Sequence, residues 1–253
     1  PNEPEKPWYE KYKKHLLIGG GVLVVVIIVV AVVAATGGGG GGGGDPQPEP
    51  PTKLSFANDS ELFTVVNQYL SVDGLAAVEE TYGPISEWDV SRVTVFDRLF
   101  DATGRVGAAA DFNAEVSAWD TSQATSMQSM FRGAVAFNQD ISGWSVDRVT
   151  SFDSMFAGAT SFNQDISGWA ISSTATSIEN MFNGATNFSQ DLCGWGSLLN
   201  SATIVDGAFA STACPLTQDP DFTENPPSPF CNACMAPPTT APPSKAPTIT
   251  SAP

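Results

Sequence analysis

Histidine is almost absent from this chain. The only one is His15, so everything that follows it lacks the residue. This excludes Ser-His-Asp and Cys-His nucleophile systems, histidine general bases and histidine metal ligands from the whole of the later chain. An enzyme would need a pocket of convergent carboxylates, for which the region near Arg105 and Asp111 is the one candidate. We therefore expect a protein without catalytic activity or an organic cofactor.

Basic residues are also scarce. The sequence holds 11 Lys and Arg against 27 Asp and Glu, a formal net charge of −16. Between Lys53 and Met235 there are 22 acidic and six basic side chains. Such a surface repels phosphate backbones, so nucleic acid is not an expected partner. It favours solubility, cationic partners or divalent ions.

Charge is missing altogether from residues 16–35, LLIGGGVLVVVIIVVAVVAA. At about 1.5 Å per residue, a helix of this length spans the roughly 30 Å hydrocarbon core of a bilayer. The alternative is the apolar region of a cleaved signal peptide, which is usually shorter and followed by a small-residue cleavage site. We therefore predict one transmembrane helix in the cell membrane.

The charges that flank this segment predict its orientation. Three lysines and His15 lie directly before it, whereas the first charges after it are acidic. By the positive-inside tendency, residues 1–15 stay cytosolic and the large C-terminal part is extracellular. The flanking charges are Lys11, Lys13 and Lys14 before the segment and Asp45 and Glu49 after it.

Two further segments lack the composition of a folded domain. Residues 36–52 hold eight consecutive glycines followed by DPQPEPP, a flexible linker joined to a stiffer proline-rich piece. Residues 236–253 are rich in Pro, Ser and Thr and are predicted to be a disordered tail with plausible O-glycan sites. Because the chain opens on Pro1, we expect it to be a fragment or a processed form.

The region between these segments is repetitive. Five tryptophans recur at intervals of 31, 25, 25 and 26 residues, and the longer first interval contains the insertion DATGRVGAAADF. Phenylalanine precedes tryptophan by seven residues in the blocks FNAEVSAW, FNQDISGW, FNQDISGW and FSQDLCGW. Periods of this length are typical of solenoids and arrays. The tryptophans are Trp88, Trp119, Trp144, Trp169 and Trp195.

Each unit of about 25 residues is predicted to contain one short strand and one helical turn. The FNQDISGW block is rich in β-branched and aromatic residues and predicts the strand. Met127, Met130 and Phe131 stand at i, i+3 and i+4, which predicts the helical turn. One unit cannot bury enough apolar surface to fold alone, so the units must stack into one cooperative repeat solenoid.

Both ends of the repeats are predicted to be capped. Residues 53–84 hold two helical patterns, the first with Asn58, Asp59 or Ser60 as its cap, and form a helical N-terminal cap. Residues 85–210 hold the repeats. In residues 211–235 the pattern decays into a cysteine-containing C-terminal cap.

The motif FNQDISGW, followed by VTSFDSMF, a glycine-alanine pair and another FNQDISGW, resembles the BspA-like leucine-rich-repeat surface proteins, a group with mycoplasma-type surface lipoprotein repeats. The resemblance covers roughly residues 54–235. The versions in diatoms and related algae are similar in three further segments. These are the approach TYGPISEWDVSRVTVF, the terminal ACP and PFCNAC segments, and the tail. This resemblance implies a right-handed, leucine-rich-repeat-like β-solenoid with a cell-surface role in adhesion or recognition. The first unit departs from the pattern because it lacks methionines.

Four acids share one position of the strand block and form the candidate site. Stacked units would place them about 5 Å apart, where repulsion between like charges invites calcium or a basic ligand. A solvated acidic face and local capping of the adjacent turn are the alternatives. The asparagines at the second position, Asn113, Asn138 and Asn163, are predicted to form a structural ladder. The acidic row comprises Glu115, Asp140, Asp165 and Asp191.

The aromatic rows are predicted to form the core. A carbohydrate-stacking platform is the alternative for any tryptophan that proves exposed. The core candidates are the five repeat tryptophans together with Phe131, Phe137, Phe156, Phe162, Phe182 and Phe188.

All four cysteines, Cys193, Cys214, Cys231 and Cys234, lie in or after the last unit. Outside the cell, four cysteines normally form two disulfides, for which three pairings exist. We favour Cys193 with Cys214 and Cys231 with Cys234. A redox Cys-x-x-Cys site and a zinc site are less favoured, since no helix signal follows the motif and the compartment is oxidising.

Asn58 and Asn187 each begin an N-glycosylation triplet. Together these features favour a membrane-anchored, non-catalytic surface protein that binds an extracellular protein, polysaccharide or matrix. A structural component of a cell wall or extracellular matrix is the second hypothesis.

Overall fold

The computed structural model describes residues 55–104, 109–224 and 227–234. The chain divides into two compact units, Pro1–Pro48 and Glu49–Pro253, and every described residue belongs to the second. Along these ranges, no helix has the length and apolar character that crossing a bilayer requires. The predicted membrane segment 16–35, the linker 36–52 and the tail 236–253 lie outside the described residues.

Two short helices precede the repeats, within the segment predicted to be a helical cap. Helix α1 spans Asp59–Tyr69 and helix α2 spans Leu75–Tyr82. The Asn58 side chain accepts a hydrogen bond from the Glu61 amide at 3.0 Å, and the Glu61 carboxylate accepts one from the Ala57 amide at 2.8 Å. This reciprocal arrangement fixes the start of α1 because it pairs two backbone donors that the helix leaves free.

Short 3₁₀ helices mark the first and last tryptophans. One spans Ile85–Glu87 and ends at Trp88, and the other spans Cys193–Ser197 around Trp195. The described residues contain no strand longer than an isolated bridge. Neighbouring repeats therefore pair through isolated parallel bridges and not through continuous strands.

The repeats pair through five stretches, which we call rungs 1 to 5. Their residues are 95–102, 126–133, 151–158, 177–184 and 204–211. Parallel bridges join the first residue of each rung to the first residue of the next, from Val95 through Ser126, Ser151 and Ser177 to Ile204. The rungs are therefore stacked in one register.

Backbone hydrogen bonds extend this pairing along the whole rung. In rung 2, the amides of Met127, Ser129, Phe131 and Gly133 donate to rung 3 at 2.7–3.1 Å. Intervening amides donate within their own rung, as the Met130 amide does to the Met127 carbonyl. Alternate amides thus bond to the neighbouring rung and to the same rung, which satisfies the backbone without an extended strand.

This arrangement corrects two local predictions. No helical turn forms at Met127–Phe131, because Ser129 has a φ of 55°, in the left-handed region. The predicted strand in the FNQDISGW block is also absent, since the bridges lie in the other block. The i, i+3, i+4 pattern has a different cause: in the consecutive turns of the rung, Met127, Met130 and Phe131 all point into the core and are fully buried.

The core consists of rows of aromatic rings that continue from unit to unit. Trp88, Trp119 and Trp144 stack at centroid distances of 6.3 and 6.4 Å. A second row, Phe112, Phe137, Phe162 and Phe188, repeats at 6.0 Å. All eleven predicted core aromatics are buried, and none exposes more than 4% of its surface. The five repeat tryptophans therefore offer no exposed ring face for a carbohydrate platform.

Candidate functional site

The tryptophans tie successive units together through polar bonds as well as packing. The indole Nε1 of Trp119, Trp144 and Trp169 donates to the carbonyl of Ile85, Val116 and Ile141, respectively, at 2.8–3.1 Å. Each acceptor lies three residues before the preceding tryptophan. The buried Nε1 of Trp195 has no partner among the described residues. The rings thus hold the surface loops of each unit at a fixed position on the previous one.

The predicted asparagine ladder is confirmed. The Oδ1 atoms of Asn113, Asn138 and Asn163 accept from the backbone amides of Asn138, Asn163 and Ser189 at 2.9–3.0 Å. Side-chain amides of the following glutamines, such as Gln139 to the Asn113 carbonyl at 2.8 Å, add a second bond. This block joins its neighbours through side chains, which explains why its backbone forms no bridge.

The acidic row makes local bonds. Asp140, Asp165 and Asp191 each accept the amide two residues later at 2.9–3.0 Å, and Glu115 accepts the Ser117 hydroxyl at 3.1 Å. All four side chains are exposed. The geometry corresponds to the capping alternative, in which a carboxylate closes an Asx-type turn.

Hydrogen bonding also changes the acidity of two members of this row. The Ser142 hydroxyl and amide hold the pKa of Asp140 below its ordinary value, and Ser167 does the same for the pKa of Asp165. The charged form is favoured because it accepts both bonds. Across the described ranges, no group of three or more Asp, Glu, Cys or His side chains is arranged to hold a metal ion.

A second polar surface, which sequence analysis missed, lies on the rungs themselves. We call it the rung face. Position 1 carries Val95, Ser126, Ser151, Ser177 and Ile204; position 3 carries Asp97, Gln128, Asp153, Glu179 and Asp206. Side chains two residues apart on a paired backbone point the same way, so these two columns are neighbours. The 25-residue period contained this signal, but assigning the rung to a helical turn concealed it.

Hydroxyls and carboxylates interact along the rung face. The Ser126 hydroxyl donates to Asp97 at 2.5 Å, and the Gln128 amide donates to the same oxygen at 2.9 Å. Threonines border the columns, and Thr125 donates both its amide and its hydroxyl to the Thr94 carbonyl. Oδ1 of Asp153 is buried, and no residue in the described part of the chain bonds to it. The face is a fixed array of short polar groups, with each column repeating at roughly the 4.8 Å spacing of paired backbones.

A shallow groove lies where α1 meets the first rung. It has a volume of about 300 Å³ and is lined by Asp59, Ser60, Phe63, Thr64, Val95 and Asp97. Asp59 crosses its floor and accepts from the amide and hydroxyl of Thr94 at 2.7 and 3.0 Å. Of the insertion residues singled out above, Asp111 is exposed and Arg105 lies outside the described residues.

The cysteines form two disulfides, as predicted, but the favoured pairing is wrong. Cys193 is bonded to Cys234 and Cys214 to Cys231. The reason is the path of the chain after the last repeat, which returns so that Phe230 packs against Phe209 and Leu192 donates to the Phe230 carbonyl. This places Cys234 beside Cys193, and the sequence contained no local signal for the return.

The two glycosylation candidates differ in their surroundings. Both side chains are exposed, but the Oδ1 of Asn58 is engaged as the cap of α1. Asn187 donates its backbone amide to the Thr160 carbonyl, and its side chain lies on the outside of a turn. Both remain candidates.

Comparison with known proteins places the repeat in a wider group. Residues 73–195 match a family model described as a Mycoplasma protein of unknown function, DUF285. No curated protein and no solved structure matches the chain significantly. The matched span runs from α2 through the tryptophan repeats to Trp195. The predicted similarity to mycoplasma-type repeats is thereby confirmed, and over this span the chain is similar to a family whose function is unknown.

Proposed function

We propose that the protein is a membrane-anchored surface protein whose repeats bind another macromolecule without catalysis. The observation that carries this proposal is the rung face, where five rungs in one register each present an exposed or partly exposed side chain at position 3. A partner with its own repeated groups can bind several rungs at once, which raises avidity without a deep pocket. The described residues hold a shallow groove and no metal-ligand cluster, and the chain lacks histidine beyond His15.

The proposed class of the repeats is the BspA-like, right-handed, leucine-rich-repeat-like β-solenoid, in the version similar to algal proteins. Parallel bridges in a single register and the continuous row from Phe112 to Phe188 support it, because units that each contact only their neighbours are what defines a solenoid. The proposed location rests on residues 16–35 as a single membrane span, with the repeats extracellular.

The proposed partner is an extracellular protein, polysaccharide or matrix with exposed cationic or hydrogen-bonding groups. Position 3 of the rung face carries four carboxylates among five residues. Negative potential of this kind attracts basic segments and repels anionic polymers. Calcium between carboxylates of adjacent rungs would serve the same contact, and it would have no catalytic role.

Cell-surface labelling of intact cells, followed by cross-linking of the bound partner, tests location and binding together. We expect the full chain to be labelled without permeabilisation and to yield a saturable cross-linked product. A chain labelled only after permeabilisation would overturn the location. Extraction only together with wall material would instead support a structural role in the wall or matrix.

A matched pair of variants tests the rung face itself. Asp153→Asn with Glu179→Gln removes two carboxylates from the rung face, and Asp140→Asn with Asp165→Asn removes two from the acidic row. We expect only the first pair to reduce the cross-linked product, and to do so by roughly tenfold if each lost contact contributes 0.5–1 kcal/mol. Equal losses in both pairs would show that total charge, and not the rung face, mediates the contact.

A further inference from the structure

The two ends of the rung stack carry complementary sets of unpaired backbone groups. At every inner interface, amides of one rung donate to carbonyls of the next. Rung 5 has no successor. Among the described residues, no acceptor pairs with the amides of Val205, Gly207, Phe209 or Ser211, the four positions that donate forward in rungs 1 to 4.

Rung 1 shows the opposite deficiency. Its carbonyls occupy the positions that accept in rungs 2 to 5, and no described residue donates to those of Val95, Asp97 and Asp101. Helix α1 occupies the place of a preceding rung at Thr94, whose amide and hydroxyl donate to Asp59. Beyond Thr94 the groove beside Val95 and Asp97 separates the carbonyl edge from the helix.

Side chains at position 1 distinguish the ends from the middle. The three inner rungs carry serine there, whereas the terminal rungs carry Val95, 38% exposed, and Ile204, 49% exposed. Phe63, 41% exposed, lines the groove beside Val95. An apolar side chain at each end, at the residue that forms the bridge, is suited to contact with another apolar side chain.

From these observations we infer that copies of this chain associate head to tail, with the amides of Val205 and Gly207 in rung 5 of one copy donating to the carbonyls of Val95 and Asp97 in rung 1 of the next. The contact continues the same register, so Ile204 of one copy meets Val95 of the other beside Phe63. Such a contact is heterologous, because the two surfaces differ, and it propagates instead of closing a dimer. It goes beyond the proposed recognition function and is independent of it.

The C-terminal cap leaves the first half of this edge accessible. Phe230 covers Phe209 from the core side at 6.4 Å, and both rings are fully buried. Ile204, Asp206 and Ser211 are nevertheless exposed. The cap therefore closes the hydrophobic core around Phe209, whereas residues 204–207 in the first half of the last rung are exposed or partly exposed.

Cysteine trapping tests the inference directly. The full chain carries Val95→Cys together with Ile204→Cys, and its four native cysteines are already paired. Four rung spacings of about 4.8 Å separate the two positions within one copy, beyond the reach of an intrachain disulfide. Mild oxidation should therefore give a ladder of covalent multimers on a non-reducing gel.

The control pair is Val135→Cys with Ile204→Cys. Val135 is 47% exposed, as accessible as Ile204, but lies in a turn away from both edges. A second pair of variants measures the association itself by sedimentation of the full chain. Ile204→Asp should weaken association by on the order of a hundredfold, because it places an unpaired charge in the contact, whereas Val135→Asp should not change it.

Three results would overturn the inference. The first is an equal multimer yield from the trapping pair and its control. The second is a single monomeric mass at every concentration tested. The third is a ladder that forms only after residues 236–253 are deleted, which would show that the tail of the same chain occupies the edge.

Discussion

Left-handed backbone positions shape every rung. Ser129, Ser154 and Asn180 have φ values of 53–55°, and Gly133, Gly158 and Gly184 have φ values of 70–76°. In these three rungs a short polar side chain occupies the first position, where it can hydrogen-bond locally, and glycine fills the second; in rungs 1 and 5 the first position is Arg98 and Gly207. Each rung can therefore turn back on itself without leaving its register.

The substitution Gly158→Ala should show how much a side chain in the left-handed conformation destabilises the fold. No neighbouring atom is closer than 3.7 Å to the added carbon, so the left-handed φ of 73° dominates. We expect Gly158→Ala to lower the free energy of unfolding by about 1–2 kcal/mol. Urea unfolding followed by tryptophan fluorescence measures the change.

Gly143 supplies the control, since its φ lies outside the left-handed region and an added carbon meets no atom within 4 Å. Gly143→Ala should change stability by less than about 0.5 kcal/mol. Equal effects at the two glycines would contradict the assignment of the cost to backbone strain.

At the scale of the repeat unit, two kinds of hydrogen bond join neighbours. Backbone bonds join the rungs, and side-chain bonds join the FNQDISGW blocks through asparagine, glutamine and tryptophan. Together with the stacked rings, they surround each unit with contacts to the units on either side. This is the physical reason why a single unit is not expected to fold alone.

Replacing tryptophan by phenylalanine separates the indole bond from the ring packing. Trp144→Phe removes the 3.1 Å bond to the Val116 carbonyl, whereas Trp195→Phe removes a buried N–H to which no described residue is bonded. Both changes lose similar apolar area. We expect Trp144→Phe to be the more destabilising, by about 0.5–1.5 kcal/mol, because it removes a buried hydrogen bond, while the Val116 carbonyl keeps the bond from the Trp119 amide.

Thermal and urea unfolding of both variants measures this difference. The same comparison is possible with Trp169, which donates to the Ile141 carbonyl at 3.1 Å. If Trp195→Phe proved as destabilising as Trp144→Phe, the indole bonds would contribute nothing to the stacking of units.

At the scale of the described unit, the disulfides determine how the repeats end. The bond between Cys193 and Cys234 spans 41 residues and ties the last tryptophan block to the returning chain. The bond between Cys214 and Cys231 spans 17 residues within the cap. Both lie at the end where rung 5 has no successor, so they compensate for missing contacts between units.

Removing each disulfide should affect stability according to the loop it closes. In the chain-entropy model, Cys193→Ser with Cys234→Ser should cost about 4 kcal/mol, and Cys214→Ser with Cys231→Ser about 3 kcal/mol. Urea unfolding measures both costs. Proteolytic mapping under non-reducing conditions checks the pairing, and a peptide that joins Cys193 to Cys214 would disprove it.

Prediction from sequence succeeded where the signal was periodic. The tryptophan interval identified the core rings, and the asparagines at a fixed position in each block identified the ladder, because any side chain repeated in register must meet its own copies. The rung was mistaken for a helical turn because Met127, Met130 and Phe131 share their spacing with a helix face. Only the left-handed φ of Ser129 distinguishes the two, and no single residue type encodes it.

The sequence by itself determined the repeat, the burial of its aromatic rows and the position of the cysteines at one end, since these follow from composition and spacing. Only the tertiary structure decided which block forms the rungs, which cysteines pair and which backbone groups stay open at the two ends. Those features depend on how segments that are distant in the sequence meet. Cys234 lies beside Cys193 only once the chain has folded, and the same holds for the complementary edges of rungs 1 and 5.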